Sequence, residues 1–226
     1  MLLSRLILNP RSRQVQREIA NPYEMHRTIM RAFPAKISEH ERILFRILFR
    51  VEIHLQTGIP TLLVQSKEKP DWGWLRMPES NYLLSEDAIP LEVDNPSVKE
   101  VTLNLRQGQM LTFRLRANPT TKKDRPDKKQ GRRVGMYSED EQRKWLQRKL
   151  ENAGAQLIDA RTVDLQKIKG RLKRETTSHE LSFACVQFEG ILQVKDSSLL
   201  VQAVESGIGS GKGLGFGLLS LASAGH

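Results

Sequence analysis

The chain has 226 residues, enough for one large or two small domains with cores of their own. Its 36 Lys+Arg against 26 Asp+Glu leave a formal charge of +10, the electrostatic footprint of a nucleic-acid binder. One cysteine, Cys185, rules out disulfides and a cysteine zinc site, and no apolar run reaches bilayer length or follows a basic leader, so a chain in a reducing cytoplasm without membrane contact is expected.

Residues 2–8 read as a first strand. NPYEMHRTIMRAFP then opens a helix, with Asn21 as N-cap, Pro22 at the first helical position, Glu24 at capping-box spacing and a stop at Pro34. RILFRILFRVEIH, residues 42–54, places Ile43, Phe45, Ile47, Phe49, Val51 and Ile53 on one face at period two and Arg42, Arg46 and Arg50 on the other, which favours a strand over a helix. Those arginines either line a cleft or lie over the sheet. After a turn at Thr57-Gly58, IPTLLVQSK reads as another strand. An irregular stretch with Trp72, Trp74 and several prolines leads to VKEVTLNLR, alternating Val101, Leu103 and Leu105. The first half therefore reads βαββ, a short helix or loop, then β.

The second half repeats that order. MLTFRLRANP alternates Leu111, Phe113 and Leu115 as a strand, and SEDEQRKWLQRKLENAG is a helix with Ser138 and Glu141 in a capping box and Gly154 at its end. Two further strands follow, AQLIDARTVDL and HELSFACVQFEGILQV, the second changing phase near Cys185 as a bulge would make it. DSSLLVQAVESG is a short helix capped by Asp196 and closed by Gly207, and a final strand is expected over Leu214–Leu221. Two successive βαββαβ units make an α+β chain of two tandem ferredoxin-like domains, residues 1–107 and 108–226, the second carrying a C-terminal glycine-rich loop. A fold alone names no function.

Two basic runs interrupt the pattern. KIKGRLKR, residues 167–174, sits between two strands with Gly170 at its centre, as a protruding β-hairpin would. KKDRPDKKQGRR, residues 122–133, is longer but broken by Pro and Asp, and reads as a solvated loop or a further RNA contact. The terminal stretch GIGSGKGLGFGLLSL has glycine at every second position from Gly207 to Gly217 around Lys212. Its spacing matches neither a Walker A loop nor the dinucleotide fingerprint. It is either a turn into the last strand or a loop whose backbone N–H groups approach phosphate.

In this order, a histidine on the first helix ahead of AFP, then FRLRANP, FEGIL and GIGSGKGLGFGLLSL, the whole chain resembles the CRISPR precursor-RNA endoribonucleases of type I-E Cascade systems, the CasE family. The resemblance implies an enzyme that binds the stem-loop of a CRISPR repeat and cuts at the 3′ base of the stem. It would retain the mature crRNA as a subunit of Cascade, being monomeric when isolated. It also implies cleavage without metal or cofactor, leaving a 2′,3′-cyclic phosphate or 3′-phosphate and a 5′-hydroxyl. A non-catalytic RNA-binding subunit of the same superfamily is the alternative, and an unrelated phosphate-binding enzyme a more distant one.

The residue types suit that chemistry. No carboxylates group on one face as two-metal nucleases require. Metal-free RNA cleavage needs a base near the 2′-hydroxyl, an acid for the leaving 5′-oxygen and cations around the phosphorane. On the first helix, Met25, Ile29 and Ala32 form an apolar stripe, while Tyr23, His26, Arg27 and Met30 point the other way. A lone helix histidine is ordinarily a surface or satisfied core residue; the family resemblance makes His26 the catalytic candidate. Tyr23 is either catalytic or a stacking or packing aromatic. In the family the second-domain basic excursion contacts the RNA stem, which assigns that role to Lys167, Lys169, Arg171, Lys173 and Arg174. Arg27, Arg114 and Arg116 are further RNA-binding candidates. Gly209, Gly211 and Gly213 would offer backbone N–H groups to RNA where the two domains meet, with Lys212 as a cation on the scissile or a stem phosphate.

Overall fold

A computed structural model of the chain describes residues 1–34, 46–85, 88, 94–123, 132–174 and 177–224, with the backbone alone for residues 78, 122–123, 132, 164–174 and 177–184. Its contacts divide into two units. The first is Met1–Thr102 with Gly170–His179 and Lys212–Gly215; the second is Leu103–Lys169 with Glu180–Gly211 and Phe216–His226.

The first unit runs β1 (Leu2–Ile7), α1 (Arg13–Ala20), α2 (Pro22–Met30), β2 (Leu48–Ile53), β3 (Pro60–Ser66), two 3₁₀ turns (Gly73–Leu75 and Pro78–Ser80) and β4 (Ser97–Glu100). The strands pair antiparallel in the order β2-β3-β1-β4, the ferredoxin-like order. Period-two alternation makes β1 a half-buried strand, with Ser4 and Leu6 facing the core. The stripe Met25, Ile29 and Ala32 is buried as the helical pattern requires, in one cluster with Leu6, Phe49, Leu62 and Val64. Fully burying each of these side chains other than that of Ala32 contributes about 1.5–3 kcal/mol. Where the second helix of the motif would lie, the chain makes only the 3₁₀ turns among its described residues, and Trp72 enters the core with its Nε1 donating to Ser4 Oγ at 3.1 Å.

Several expectations change here. The polar-faced α1 has no counterpart in the sequence reading, because its core-facing positions are Val15 and the charged Glu18. Of the strand expected over 42–54, residues 42–45 lie outside the described residues; Arg46 has a left-handed φ of 46°, and β2 begins only at Leu48. Arg50 does not line a cleft: it is 1% exposed, and its Nη2 pairs with Glu52 Oε1 at 2.7 Å. The alternation at Val101, Leu103 and Leu105 is not a strand; β4 stops at Glu100 because its partner β1 starts opposite, at Leu2. Asn21 does stand at the N-cap of α2, but its side chain makes no capping bond.

The second unit carries β5 (Met110–Ala117), β6 (Thr120–Lys123), β7 (Arg132–Gly135), α3 (Glu139–Glu151), β8 (Ala155–Arg174) as far as Lys169, β9 (Thr177–Val194) from Glu180, α4 (Ser197–Ser206) and β10 (Leu219–Ser223). Its main sheet has the order β10-β5-β9-β8, again ferredoxin-like. Leu111, Phe113 and Leu115 alternate into the core, and Trp145 of α3 stacks on Phe188 with centroids 6.3 Å apart. Asp196 caps α4 as expected, its Oδ1 accepting from Leu199 N at 2.9 Å, and Gly207 closes that helix at φ 76°. Ser138 takes the N-cap conformation of α3 without the side-chain bond of a capping box.

Here too the turns move. β8 continues through Gly170 to Arg174, so the basic run is strand rather than a turn centred on Gly170; residues 175–176 lie outside the described residues. The ends of the 122–133 run are strand as well, with Lys122↔Arg133 and Lys123↔Arg132 paired between β6 and β7, while residues 124–131 lie outside the described residues. The register of β9 on β5 runs unbroken from Val186 to Gln193, and the expected phase change near Cys185 lies just before it, where Cys185 and Val186 are buried in succession. The last strand starts at Leu219 rather than Leu214, because Gly215 and Gly217 hold φ of 81° and 92°, which a strand does not accommodate.

Gly190, in β9, shows where a close approach demands glycine. A Cβ there would fall on the carbonyl oxygen of Asp159 and within 2.8 Å of Ala160 Cα. Gly190→Ala is therefore expected to cost about 3 kcal/mol, seen by calorimetry as a lower melting temperature. An unchanged melting temperature would contradict this packing.

Candidate active site

The candidate site of the first unit is built on α2. Burial of Met25 and Ile29 fixes which side of this helix faces the core and leaves Tyr23 and His26 half-buried and Arg27 exposed. At three residues' separation Tyr23 and His26 are neighbours on the helix surface. His26 is not simply turned to solvent, as an outward-facing position would suggest. Its imidazole stacks on Phe49 of β2, with ring centroids 6.3 Å apart and planes 21° from parallel. Phe49 is itself buried in the core cluster, so it is a fixed platform.

The 3₁₀ turn Lys212–Leu214 packs against α2 and β2 within this same unit. A Cβ on Gly213 would sit 3.7 Å from His26 Cε1 and Nε2, and one on Gly215 would sit 3.1 Å from Phe49 Cε2. Two of the alternating glycines thus lay bare backbone against the imidazole and against its aromatic platform. Gly215 also has φ 81°, so a larger residue is excluded there by conformation as well as by space. Lys212, half-buried, opens the turn that contacts the histidine helix. Arg27 pairs with Glu24 at 3.2 Å, with 66% of its side chain exposed, an ion pair that holds it weakly.

In the second unit, Gly209 lies against the Trp145 ring and Gly211 against the Phe216 ring, so both serve packing inside that unit. Arg114 and Arg116 share the sheet face opposite Leu111, Phe113 and Leu115. Arg114 Nε donates to Glu189 Oε1 at 2.6 Å, and Arg116 Nε donates to Cys185 Sγ at 3.0 Å. Glu189 also receives Gln187 Nε2 at 3.2 Å and lies 3.5 Å from Arg161 Nη2. Each arginine is thereby oriented by its neighbours, while 42% of the Arg114 side chain remains exposed. The backbone of Lys167, Lys169, Arg171, Lys173 and Arg174 lies in β8; their side chains are outside what is described.

Residues 1–223 match the model of a family described as CRISPR associated protein. The chain is 35% identical over 98% of its length, and all of the relative's, to the CRISPR-associated endoribonuclease Cse3 of Thermus thermophilus. It is 37% identical over 64% of its length and 76% of the relative's to the CRISPR system Cascade subunit CasE of Escherichia coli K12. Thermus thermophilus Cse3 bound to an RNA representing a pre-cleavage complex superposes with a TM-score of 0.74 at 34% identity, covering 98% of each chain. The chain belongs to the Cse3/CasE family of CRISPR-associated proteins.

The geometry adds residues that sequence reasoning missed. Phe49 was legible only as a core position on a strand. Its contact with His26 joins positions 23 residues apart, and its contact with the Gly215 backbone spans most of the chain, so neither follows from spacing. The one available signal was the alternation of glycine itself, which marks a backbone that must run close to something.

Proposed function

We propose that the chain is an endoribonuclease that binds the stem-loop of a CRISPR repeat, cuts the precursor RNA at the 3′ base of the stem and retains the mature RNA as a Cascade subunit. The observation that carries this reading is His26, stacked on buried Phe49 and touched by the glycine backbone of the Lys212 turn. That constellation lies in a chain similar over its full length to the endoribonuclease Cse3. The relatives' names and the RNA-bound Cse3 structure support the substrate class and the assembly.

The reaction proposed needs no metal. The RNA 2′-oxygen loses its proton and attacks the adjacent phosphorus, the bond from phosphorus to the 5′-oxygen breaks, and that oxygen gains a proton. The products are a 2′,3′-cyclic phosphate and a 5′-hydroxyl. His26 carries one of the two proton transfers, a task that imidazole suits near neutral pH. Tyr23, one helical turn before it, is placed to assist. Lys212 and the weakly held Arg27 supply positive charge for the phosphorane. Arg114, Arg116 and the basic run of β8 supply phosphate contacts along the stem, where double-stranded RNA is read by shape and backbone rather than by base edges.

The test is incubation of the purified chain with its own locus's repeat RNA in excess EDTA. Cleavage at the 3′ base of the stem at an undiminished rate is expected. Loss of cutting that Mg²⁺ restores would contradict the metal-free reading.

A further inference from the structure

On the buried side of α2 lies a carboxylate that the proposed reaction does not use. Glu18, on α1, is 2% exposed. Its Oε1 accepts hydrogen bonds from Gln14 Nε2 at 2.8 Å and from Thr28 Oγ1 at 2.7 Å, and its Oε2 accepts one from the Tyr82 hydroxyl at 2.6 Å. All three donors are neutral side chains. Three neutral donors offset the lost hydration of a carboxylate at this depth only in part, and an apolar residue of similar size would fill the position with less penalty. A buried polar cluster of this kind specifies one arrangement of the elements it joins rather than adding to stability.

The elements joined are α1, α2 and the segment after the second 3₁₀ turn. Thr28 lies two positions beyond His26, and its side chain is buried. Tyr82 holds α2 at a second point, its hydroxyl lying 3.3 Å from the sulfur of Met25, the residue before His26. Burial, with the charge of Glu18 and the hydrogen bond to it, raises the pKa of Tyr82, so the phenol remains a donor.

Helix α2 needs such fastening. It has nine residues, too few to be stable alone, and Asn21 at its N-cap makes no capping bond and has its Oδ1 buried without a partner among the described residues. Neighbouring positions on a helix point about 100° apart, so a modest rotation of α2 about its axis would swing the imidazole of His26 away from Phe49 and the glycine turn. Anchors at Met25 and Thr28, on either side of His26, oppose that rotation.

We propose that Glu18 is a positioning residue for His26: through Thr28 and Tyr82 it fixes the rotation of α2 and so governs the rate of RNA cleavage without governing RNA affinity. The proposal rests on the reading of His26 as the catalytic group.

Four variants of the full chain test it: Thr28→Val, Thr28→Ser, Tyr82→Phe and His26→Ala. Each is assayed well below its melting temperature for single-turnover cleavage of the repeat RNA, for hairpin affinity and, by NMR, for the Cε1–H signal of His26. Thr28→Val and Tyr82→Phe are expected to cut about 10- to 100-fold more slowly, as small misplacements of a reacting group do. Their affinity should be unchanged and their His26 signal shifted. Thr28→Ser, which keeps the hydroxyl, should restore both rate and signal. Because both slow variants act through Glu18, combining them should cost less than the product of the two effects. Wild-type rates in Thr28→Val and Tyr82→Phe beside an inactive His26→Ala would overturn the positioning role and leave the catalytic reading of His26 intact. A fully active His26→Ala protein would overturn that reading, and this proposal with it. Thr28→Ser as slow as Thr28→Val would assign the effect to packing and contradict the role of the hydrogen bond.

Discussion

His26→Ala is expected to slow cleavage of the repeat RNA by about 10²- to 10⁴-fold, the contribution of a positioned general acid or base, while leaving hairpin affinity nearly intact. The two halves of that expectation have separate causes. The chemistry needs a group that gains and loses a proton at the moment the 2′-oxygen attacks or the 5′-oxygen leaves. Affinity comes chiefly from phosphate contacts, to which one imidazole adds little. The fold should survive, because His26 is half-buried and the core contacts of its helix are made by Met25, Ile29 and Ala32. Single-turnover cleavage and filter binding on the same preparation separate the outcomes. Tyr23→Phe should cost less, since only the hydroxyl is lost. A His26→Ala protein cutting at the wild-type rate would move the chemistry elsewhere, and Lys212, on the turn against α2, would be the next candidate.

Neutralising Lys167, Lys169, Arg171, Lys173 and Arg174 together is expected to weaken hairpin binding by orders of magnitude at low salt and to flatten its salt dependence. Each lost phosphate contact releases fewer counterions and removes about 0.7 to 0.9 from the slope of log affinity against log salt. Lys167, Lys169, Arg171 and Lys173 recur at every second position of the strand and Arg174 breaks that spacing, so the measured drop in slope also counts how many of the five meet phosphate. Saturating protein should restore much of the cleavage rate, because these residues are assigned to binding rather than to proton transfer. An unchanged slope would assign the run to solvent.

The parts of the fold legible in the sequence were those in which one local signal dominated. β1 and β5 alternate cleanly because one face of each is core, and α4 carries both an Asp196 cap and a terminal Gly207. The failures have physical reasons. In α1 the core position is Glu18, whose burial depends on Thr28 and Tyr82, 10 and 64 residues away. With Glu18 at a core position, Val15 and Ile19 make too short an apolar stripe in an eight-residue segment to stand out as a core helix. The strand expected over 42–54 has its alternation intact, but Arg46 turns the backbone at positive φ, a tertiary constraint that periodicity does not register. Gly170 suggested a hairpin turn, yet it lies within a strand that continues to Arg174. Of the candidate site, the histidine on its amphipathic helix and the lysine among glycines were legible as residue types. What holds them, Phe49 stacked on His26 and the Gly213 and Gly215 backbone laid against both rings, joins remote positions and emerges only from the folded first unit.

The central claim is that this chain cuts RNA by internal attack of the 2′-oxygen with His26 as a proton-transfer group. The most direct measurement is the chemistry of the ends it leaves on its own repeat RNA in EDTA, mapped for the wild type and for His26→Ala. A single cut at the 3′ base of the stem should leave a 5′-hydroxyl on the downstream fragment and a 2′,3′-cyclic phosphate or 3′-phosphate on the upstream one, and a repeat carrying a 2′-deoxy residue at the cut should resist. A 5′-phosphate with a 3′-hydroxyl, or cutting of the 2′-deoxy repeat, would show that water rather than the 2′-oxygen is the nucleophile and would contradict the account.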